Sequence, residues 1–375
     1  MNSRRDFLAA AAMTAATTIS PLAHAQQQTS SPPAPPAGGT LPTNAPSKGG
    51  HYRPPQRLGL GGVAIGRGFA PLTGEQSDDV MKGAWDAGVR YFDTSPWYGL
   101  GLSDRRMGHF FADQKRDDYV ISTKVGRLLS PTKDVPQTMW KNPSPFAYRY
   151  DYTADGTRRS IEDSLQRMGL AHLDIVFIHD LSPDNEDLKE KWTESFDIAA
   201  KGAMPALTRM REEGIIKGWG FGVNTIEPCL RALDAGDPDL FLLATQYSIV
   251  HHEDALNRLF PKCDERGVSI VVGAPLNSGF LAGRNRYNYR DEVPPKIKAK
   301  GERIAALAKE HGTDLRTAAL QFCNAPPTVS SVIPGASTGQ QARENAASMS
   351  ASIPSAFWAA LKREKLIAEN APTPA

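Results

Sequence analysis

Residues 89–99 read VRYFDTSPWYG, and this short stretch combines a strand signal with reactive side chains. A β-branched and aromatic run ends on the carboxylate of Asp93, and a Ser-Pro turn separates it from the phenol of Tyr98. Two interpretations are open for such a pair. Asp93 and Tyr98 either stabilise the fold through local hydrogen bonds or take part in proton transfer, and the charged groups beside them decide between the two.

Short strands alternate with longer helices from this stretch outward, over the whole chain beyond residue 51. Strands are predicted at 58–65, 89–93, 119–124, 173–179, 216–223, 240–246, 268–274 and 328–334. Helices are predicted at 75–87, 102–113, 157–169, 203–213, 226–235, 254–266, 301–325, 338–349 and 354–369. Thr73 with Gln76 forms a predicted capping box, and Gly214 and Gly267 are predicted to end their helices. Such alternation over about 300 residues predicts a closed (β/α)8 TIM barrel of parallel strands.

A doubly wound sheet with a dinucleotide-binding turn is the alternative fold. Residues 59–64, GLGGVA, match the pattern G-x-G-x-x-A. In that fold the glycines open directly into a helix, whereas residues 65–71, IGRGFAP, delay the helix by a loop. The barrel is therefore favoured.

Composition and charge argue against several classes of function. The 375 residues are 40% hydrophobic and 22% charged, and 43 basic against 41 acidic residues give a net charge of +2. These charges are mixed along the chain without a basic run, so we expect no nucleic-acid partner. Three cysteines do not make a disulfide framework. The adjacent His251 and His252 lack the spacing of metal ligands, and no metal site is predicted.

The first 25 residues predict a signal peptide. MNSRRDFLAA gives a basic start, a weakly apolar stretch follows, and residues 23–25, AHA, form a small-x-small cleavage site. The pair Arg4-Arg5 followed by Phe7-Leu8 is typical of the twin-arginine signal, with an ordinary Sec signal as the alternative. A membrane span needs about 20 apolar residues, which this stretch does not offer. We therefore expect export to the periplasm by the twin-arginine machinery, with no stable membrane insertion after cleavage.

The rest of the chain divides into two parts. Residues 26–50 are rich in Pro, Gly, Ser and Gln and are predicted to form a disordered linker. Residues 51–375 are predicted to form the barrel with its C-terminal helix.

The ends of consecutive predicted strands carry groups that complement Tyr98. In a parallel barrel these ends meet at one mouth, where reactive groups lie. They carry Asp93, Lys124 and His179 on strands about 4.8 Å apart. A tyrosine pKa is about 10, and a nearby ammonium lowers it. We therefore expect Lys124, kept charged by Asp93, to tune Tyr98 as general acid or base, with His179 holding the reacting oxygen.

These residues resemble the motifs of the aldo-keto reductases. The matching pieces are YFDTSPWYG with Asp93 and Tyr98, STKVGR with Lys124 and DIVFIHD with His179, followed by GFGVN, ATQYS, VIPGAS and RENA. The resemblance covers residues 55–350. It implies a barrel with these four side chains as the catalytic tetrad and a nicotinamide cofactor, NAD or NADP, at the C-terminal face.

The resemblance also implies residues that contact the cofactor. Asn224 and Gln246 match the positions that hold the nicotinamide carboxamide, and residues 273–279, GAPLNSG, match the loop around the pyrophosphate, although Gly273 stands where many relatives have a stacking tyrosine. Near the adenine end, residues 335–337, GAS, replace a Lys-Ser pair, and Gln341 replaces an arginine. The loss of two cations that would meet a 2′-phosphate favours NAD. The full implied set is Gly61, Gly62, Asn224, Gln246, Leu276, Gly335, Ala336, Ser337, Gln341 and Asn345.

The long segment 127–156 is similar to the D-threo-aldose 1-dehydrogenase branch, which oxidises the anomeric carbon of a sugar to a lactone. Trp97 and Trp140 are predicted to contact the substrate as an apolar platform. We expect a small carbonyl compound or sugar as the substrate. Two alternatives stay open, a carbonyl reductase that acts on aldehydes or ketones and a nicotinamide-binding sensor without turnover.

Overall fold

The structure, a computed structural model, describes residues 40–45 and 50–374. The signal peptide predicted for residues 1–25 and most of the linker predicted for 26–50 lie outside the described residues. The strands are β1 Leu60–Gly61, β2 Tyr91–Asp93, β3 Val120–Val125, β4 Arg127–Pro131, β5 Phe146–Tyr150, β6 Ile175–His179, β7 Gly218–Val223, β8 Leu240–Ala244, β9 Ser269–Gly273 and β10 Val329–Ile333.

Eight of these strands form one parallel sheet in the order β1-β2-β3-β6-β7-β8-β9-β10. Parallel bridges from Leu58 to Val332 and from Gly61 to Gly335 join the first strand to the last. The sheet therefore curls into a barrel with helices between successive strands, which confirms the predicted (β/α)8 fold and excludes the doubly wound alternative.

Alternate residues of each barrel strand face either the barrel interior or the surrounding helices. Phe92 and Ile121 pack with the helices in the main hydrophobic core. Asp93, Lys124 and His179 have the opposite parity, so they face the interior at the C-terminal strand ends. The apolar interior cluster, none of whose members lies in a helix, contains Tyr91, Val120, Ile175, Phe177, Leu240, Leu242, Ala244, Val271 and Ile333.

The helices include the caps predicted at Thr73, Gly214 and Gly267. They are α1 Gly74–Asp86, α2 Leu102–Phe111, α3 Ala154–Met168, α4 Trp192–Lys201, α5 Ala203–Glu212, α6 Glu227–Ala235, α7 Phe260–Arg266, α8 Pro295–Glu310, α9 Leu315–Asn324, α10 Gly339–Ser350 and α11 Ser355–Arg363. The Gln76 N–H donates to Thr73 Oγ1 at 3.2 Å and the Thr73 N–H to Gln76 Oε1 at 2.9 Å, which confirms the capping box. Gly214 and Gly267 follow their helices with φ of 73° and 72°, the left-handed region predicted for them.

Several predicted elements differ from the structure. The helix predicted at 354–369, for example, is α11, which ends at Arg363. Two others show the physical reason. The strand predicted at 58–65 is only two residues long because the chain turns at once over 62–68. The single helix predicted at 301–325 is two helices, α8 and α9. Gly312 (φ 73°) breaks the helical path, and the Asp314 side chain caps the start of α9. Local glycine and N-cap signals therefore outweigh a nearly continuous helical pattern.

Part of the predicted linker is ordered where the structure describes it. Leu41 is buried, and Thr43 pairs with Gln56. Asn44 Nδ2 donates to the carbonyls of Pro54 and Ser330, each at 2.7 Å. Residues 40–45 therefore pack on the barrel, contrary to the prediction of disorder up to residue 50. Within 40–45 and 50–374, no helix has both the length and the apolar character that a membrane crossing requires.

Candidate active site

Asp93 and Lys124 form a buried ion pair where β2 ends beside β3. Lys124 Nζ donates to Asp93 Oδ1 at 2.9 Å, to Asp93 Oδ2 at 2.8 Å and to the Thr94 carbonyl at 2.9 Å. Ser122 Oγ donates to Asp93 Oδ1 at 2.6 Å. Burial raises the pKa of Asp93, and the Lys124 ammonium opposes that rise. Because a lone buried charge is costly, the contact between the two groups offsets the cost of burying each.

Tyr98 lies next to this ion pair in the loop after β2. Its N–H donates to the Ser95 carbonyl at 3.0 Å, which turns the chain back over the mouth. Lys124 Nζ is 4.6 Å from the centroid of the Tyr98 ring. The His179 ring lies 5.9 Å from the Tyr98 ring at an interplanar angle of 78°. The structure thus brings together all four side chains that the sequence nominated as catalytic.

The electrostatics of Tyr98 differ from the expectation. Burial raises the pKa of Tyr98 well above its ordinary value, and the negative charge of Asp93 raises it further. The expected fall of this pKa toward the working range is not found, because burial and Asp93 dominate and the Lys124 ammonium is itself paired with Asp93. Among the described residues, none hydrogen-bonds to the Tyr98 hydroxyl. Tyr98 is therefore a neutral phenol, which suits it to donate a proton.

His179 shares its pocket with three residues that sequence reasoning missed as functional. Arg127 Nη1 lies 3.2 Å from His179 Nδ1 and donates to Asp180 Oδ2 at 2.8 Å. The Tyr152 hydroxyl donates to the His179 carbonyl at 3.0 Å. Burial lowers the pKa of His179 well below its ordinary value, and the positive charges of Arg127 and Lys124 lower it further, so the imidazole is neutral. Two of these residues could have been found from the sequence, since Arg127 is the last residue of the motif STKVGR and Asp180 is the last residue of DIVFIHD.

Aromatic side chains form a wall along one side of the mouth. The segment 127–156, predicted as a long loop, contains the antiparallel hairpin of β4 and β5, which carries part of this wall. The Trp97 ring is 5.7 Å from the Trp140 ring and 4.9 Å from the Tyr148 ring, and Tyr98 is 5.6 Å from Trp140. Trp140 is buried, and its indole N–H has no partner within the described part of the chain. We call Trp97, Trp140 and Tyr148 the aromatic wall.

Asn224 and Gln246 follow β7 and β8 at the same mouth. Gln246 Nε2 donates to the Asn224 carbonyl at 2.6 Å, and Asn224 Nδ2 donates to Asp184 Oδ2 at 3.1 Å. Side-chain amides offer both donors and acceptors, which is the chemistry that a carboxamide requires. Both residues therefore lie at the mouth, and their contact with the carboxamide stays a prediction.

The loop after β9 contains Leu276 in a tight turn. The Leu276 carbonyl accepts from the N–H groups of Gly279 at 2.9 Å and Leu281 at 3.2 Å. The neighbouring Asn277 is fully buried, and its Oδ1 lacks a hydrogen-bond partner among the residues that the structure describes. An orphaned buried acceptor in this loop is a polar site that a ligand donor would satisfy.

The residues predicted for the adenine end surround the start of α10. The Ser337 N–H donates to Gln341 Oε1 at 2.9 Å, and Asn345 Nδ2 donates to the Gly335 carbonyl at 3.4 Å. Ala336 is buried between them. The N-terminus of a helix after the last barrel strand is a favourable place for a phosphate. Together with the amides after β7 and β8 and the orphaned Asn277 oxygen, these groups fit a nicotinamide dinucleotide.

Gly61 and Gly62 have a steric explanation in the barrel itself. A Cβ on Gly62 would lie 2.5 Å from the Asp93 carbonyl, and a Cβ on Gly61 would lie 3.0 Å from the Ile333 carbonyl. Close packing of the first strand therefore requires both glycines. Their predicted contact with the cofactor stays a prediction.

Comparison with known proteins decides the family. Residues 57–364 match the model of the Aldo/keto reductase family. The chain is an aldo-keto reductase. It is therefore an NAD(P)-dependent oxidoreductase.

Two relatives support this assignment, and one solved structure shares the fold. The chain is 36% identical over 328 residues to a D-threo-aldose 1-dehydrogenase of Pseudomonas sp, covering 84% of this chain and 95% of the relative. It is 34% identical over 327 residues to a pyridoxal 4-dehydrogenase of Microbacterium luteolum, covering 83% and 94%. The fold is similar to that of an aldo-keto reductase from Bacillus halodurans in its holo form, with a TM-score of 0.64, 21% identity and coverage of 87% and 96%.

Tyr289 is a further residue at the mouth of this aldo-keto reductase that the sequence did not single out. Its ring stacks on Phe69 with the centroids 6.3 Å apart, and its N–H donates to Ser278 Oγ at 2.9 Å. Its φ of 67° is unusual for a tyrosine. The Tyr289 phenol also contributes to the raised pKa of Tyr98, after burial and Asp93.

Metal ligands are not part of this arrangement. Across residues 40–45 and 50–374, no three His, Cys, Asp or Glu side chains are grouped so that they could hold a metal ion. The aldo-keto reductase mouth instead presents a neutral phenol, a neutral imidazole and a compensated ion pair, a set that can exchange a proton with a carbonyl or alcohol oxygen.

Proposed function

We propose that this aldo-keto reductase oxidises C1 of an aldose, in its cyclic hemiacetal form, to the lactone. The observation that carries the proposal is the aromatic wall beside Tyr98 and His179, because an aromatic surface next to polar groups suits the apolar face and hydroxyls of a sugar. The names of the two relatives above 30% identity support it, since each describes dehydrogenation, of an aldose at C1 in one and of pyridoxal at C4 in the other.

The oxidation removes a proton from the anomeric hydroxyl and a hydride from C1, and the C=O bond of the lactone forms. When bound, an oxidised nicotinamide accepts the hydride and brings positive charge to the mouth. Tyr98 must first release its own proton to solvent, because only the phenolate can then take the hydroxyl proton. A positive charge nearby would favour the phenolate against the opposing effects of burial and Asp93. His179 hydrogen-bonds to the same oxygen and orients it toward Tyr98.

The Asp93–Lys124 pair supports this proton transfer without taking the proton itself. Its four polar contacts fix the ammonium 4.6 Å from the Tyr98 ring centroid. A cation at that position stabilises electron density on the ring. The pair therefore keeps a fixed charge environment under the phenol while Tyr98 changes protonation.

We further propose NAD as the preferred cofactor. Ala336, in the loop before α10, and Gln341, in the first turn of α10, stand where a 2′-phosphate would require cations. Gln341 Oε1 already accepts the Ser337 N–H. A 2′-phosphate gains most from charge-assisted bonds with Arg or Lys. Because neither Arg nor Lys occupies position 336 or 341, these positions suit the uncharged 2′-hydroxyl of NAD better than the 2′-phosphate of NADP.

Initial rates of nicotinamide reduction test the reaction. Purified full-length protein is assayed with NAD⁺ or NADP⁺ against L-fucose, L-galactose, D-arabinose and pyridoxal, and the product is identified by mass spectrometry. The expected result is turnover of at least one aldose with NAD⁺ and a product two hydrogens lighter that hydrolyses as a lactone. Turnover of aldehydes alone, with no aldose oxidised, contradicts the proposal.

A second candidate function is reduction of a carbonyl compound. The observation that favours it is the raised pKa of Tyr98, because a neutral phenol is the form that donates a proton to a carbonyl oxygen. NADPH or NADH consumption with an aromatic aldehyde, compared with aldose oxidation under the same conditions, separates the two candidates. A specificity constant larger for the aldehyde by about 10-fold or more favours the reductase.

We also propose that the chain is exported through the twin-arginine route. The proposal is supported by Arg4-Arg5 with Phe7-Leu8 in the sequence and by three cysteines that are all buried and free, as suits a protein that folds before export. A fusion of residues 1–50 to a reporter that must fold before transport tests it. Export lost on Arg4→Lys/Arg5→Lys supports the route, and export that survives this change contradicts it.

A further inference from the structure

The imidazole of His179 meets two potential donors at the same nitrogen. Arg127 Nη1 and Ser95 Oγ each lie 3.2 Å from His179 Nδ1. A guanidinium has no acceptor and is always protonated. Ser95 Oγ accepts the Trp97 N–H at 3.1 Å, which leaves its own hydrogen free to donate. Arg127 therefore requires a lone pair on Nδ1, and Ser95 is able to donate to the same lone pair.

We propose that Arg127, held by Asp180, is a positioning residue that fixes His179 as the neutral tautomer with its proton on Nε2. The imidazole then presents Nε2–H as a donor to the substrate oxygen. This assignment rests on the proposed function in one respect: the proposed reaction identifies the substrate oxygen that accepts the Nε2–H hydrogen bond. The tautomer itself follows from the contacts around Nδ1.

The opposite tautomer has two unfavourable contacts. A proton on Nδ1 would face the Arg127 N–H at 3.2 Å, two donors against each other. The bare Nε2 would then lie 3.5 Å from Asp180 Oδ1, a lone pair beside a carboxylate. With the proton on Nε2, both contacts become attractive. The 3.5 Å separation is long for a hydrogen bond, so Nε2–H keeps its capacity for another acceptor.

The backbone around the Arg127–Asp180 pair is shaped to hold it. Gly126 has φ 108°, and a Cβ there would lie 2.3 Å from the Tyr152 ring. Asp180 has φ 45°, an unusual value for a residue other than glycine, directly after the strand that ends at His179. Arg127 also donates to the Tyr150 hydroxyl at 2.9 Å, and its guanidinium lies 4.6 Å from the Trp97 ring centroid. The guanidinium is therefore fixed from several sides.

The proton position can be read directly by NMR on the full chain labelled with 15N-histidine. Long-range 1H–15N correlations distinguish a pyridine-like nitrogen from a pyrrole-like one, and His179→Asn identifies the His179 signals among the eight histidines. We expect a pyridine-like Nδ1 and a pyrrole-like Nε2 at neutral pH. A pyrrole-like Nδ1 in the unmodified protein overturns the proposal without the need for any further variant.

Variants of Arg127 test whether this residue sets the tautomer. Arg127→Met removes the donor, and we expect a mixed or reversed His179 pattern with kcat lower by about 10- to 100-fold at unchanged affinity for NADH. Arg127→Lys restores one donor and is expected to recover part of both signals. Arg116→Met is the matched control, since Arg116 pairs with Asp174 at 2.6 Å before β3, at the other end of the barrel. It should leave the His179 pattern and kcat unchanged.

Two further outcomes complete the test. If Arg127→Met leaves both the His179 pattern and kcat as they were, Arg127 does not position the imidazole and the proposal is wrong. If the predicted tautomer is found in a protein that oxidises no aldose, the inference stands and the proposed substrate fails. The NMR measurement and the substrate panel therefore test the tautomer and the proposed function independently of each other.

Discussion

The strongest stability prediction concerns Asp93→Asn. Asn keeps the shape of Asp93 but removes its charge, and its amide nitrogen is a donor where Lys124 also donates. Lys124, with 1% of its side chain exposed, then keeps two neutral acceptors, the Asn amide oxygen and the Thr94 carbonyl at 2.9 Å, but no negative charge to compensate its own. Removal of one partner from a buried ion pair destabilises a protein by about 3–5 kcal/mol, because the other charge stays buried without compensation. We expect the free energy of unfolding to fall by this amount.

A double-mutant cycle isolates the pair. Lys124→Met removes the uncompensated ammonium. The double variant Asp93→Asn/Lys124→Met should therefore lose about 2–3 kcal/mol less free energy of unfolding than the two single variants lose when their losses are added. Urea unfolding followed by tryptophan fluorescence supplies the four free energies. Asp86→Asn is the matched control, because Asp86 pairs with Lys82 at 2.7 Å on the surface, where such pairs contribute at most about 1 kcal/mol. The reasoning is refuted if Asp93→Asn costs no more than Asp86→Asn, or if the cycle is additive.

Three further predictions address other parts of the molecule. Burial lowers the pKa of His252 from 6.5 to about 4, so the unfolded chain binds a proton at a higher pH than the folded chain does. The free energy of unfolding should therefore fall by about 3 kcal/mol for this group as the pH drops from 6.5 to 4. His252→Gln should show a correspondingly shallower pH dependence in urea unfolding. Gly220→Ala places a Cβ 1.7 Å from the Leu240 carbonyl and should lower the melting temperature sharply or abolish folding, whereas Gly74→Ala, with no atom within 4 Å of its Cβ, should leave it nearly unchanged. Gln341→Arg should raise the NADP⁺-to-NAD⁺ ratio of kcat/KM by about 10-fold or more, with Gln341→Met as the uncharged control, and an unchanged ratio would contradict the proposed cofactor preference.

Much of the site could be predicted because strand periodicity places it. Asp93, Lys124 and His179 share parity with the interior residues of their strands and lie toward the C-terminal ends, so the (β/α)8 pattern alone brings them together. Tyr98 follows from the same logic, because a short turn returns it to the mouth.

The parts that sequence reasoning missed depend on three-dimensional contacts. Arg127 and Asp180 were visible in their motifs, but their pairing beside His179 depends on unusual backbone conformations that periodicity does not encode. The raised pKa of Tyr98 depends on how deeply the phenol is buried and on the position of Asp93 beside it. Gly312 is a residue that often ends a helix. Because apolar residues recur at helical spacing on both sides of it, the sequence pattern still predicts one continuous helix.

Tyr98→Phe tests the central claim, that this phenol exchanges the proton while the cofactor exchanges the hydride. Enzyme loaded with NAD⁺ is mixed with its best aldose, and the absorbance of reduced nicotinamide is followed over a single turnover, with NADH affinity measured separately by fluorescence. The account predicts that the variant binds NADH as the unmodified enzyme does but forms reduced nicotinamide slower by about 10²- to 10⁴-fold. A variant that retains the single-turnover rate of the unmodified enzyme would show that the proton leaves by another group.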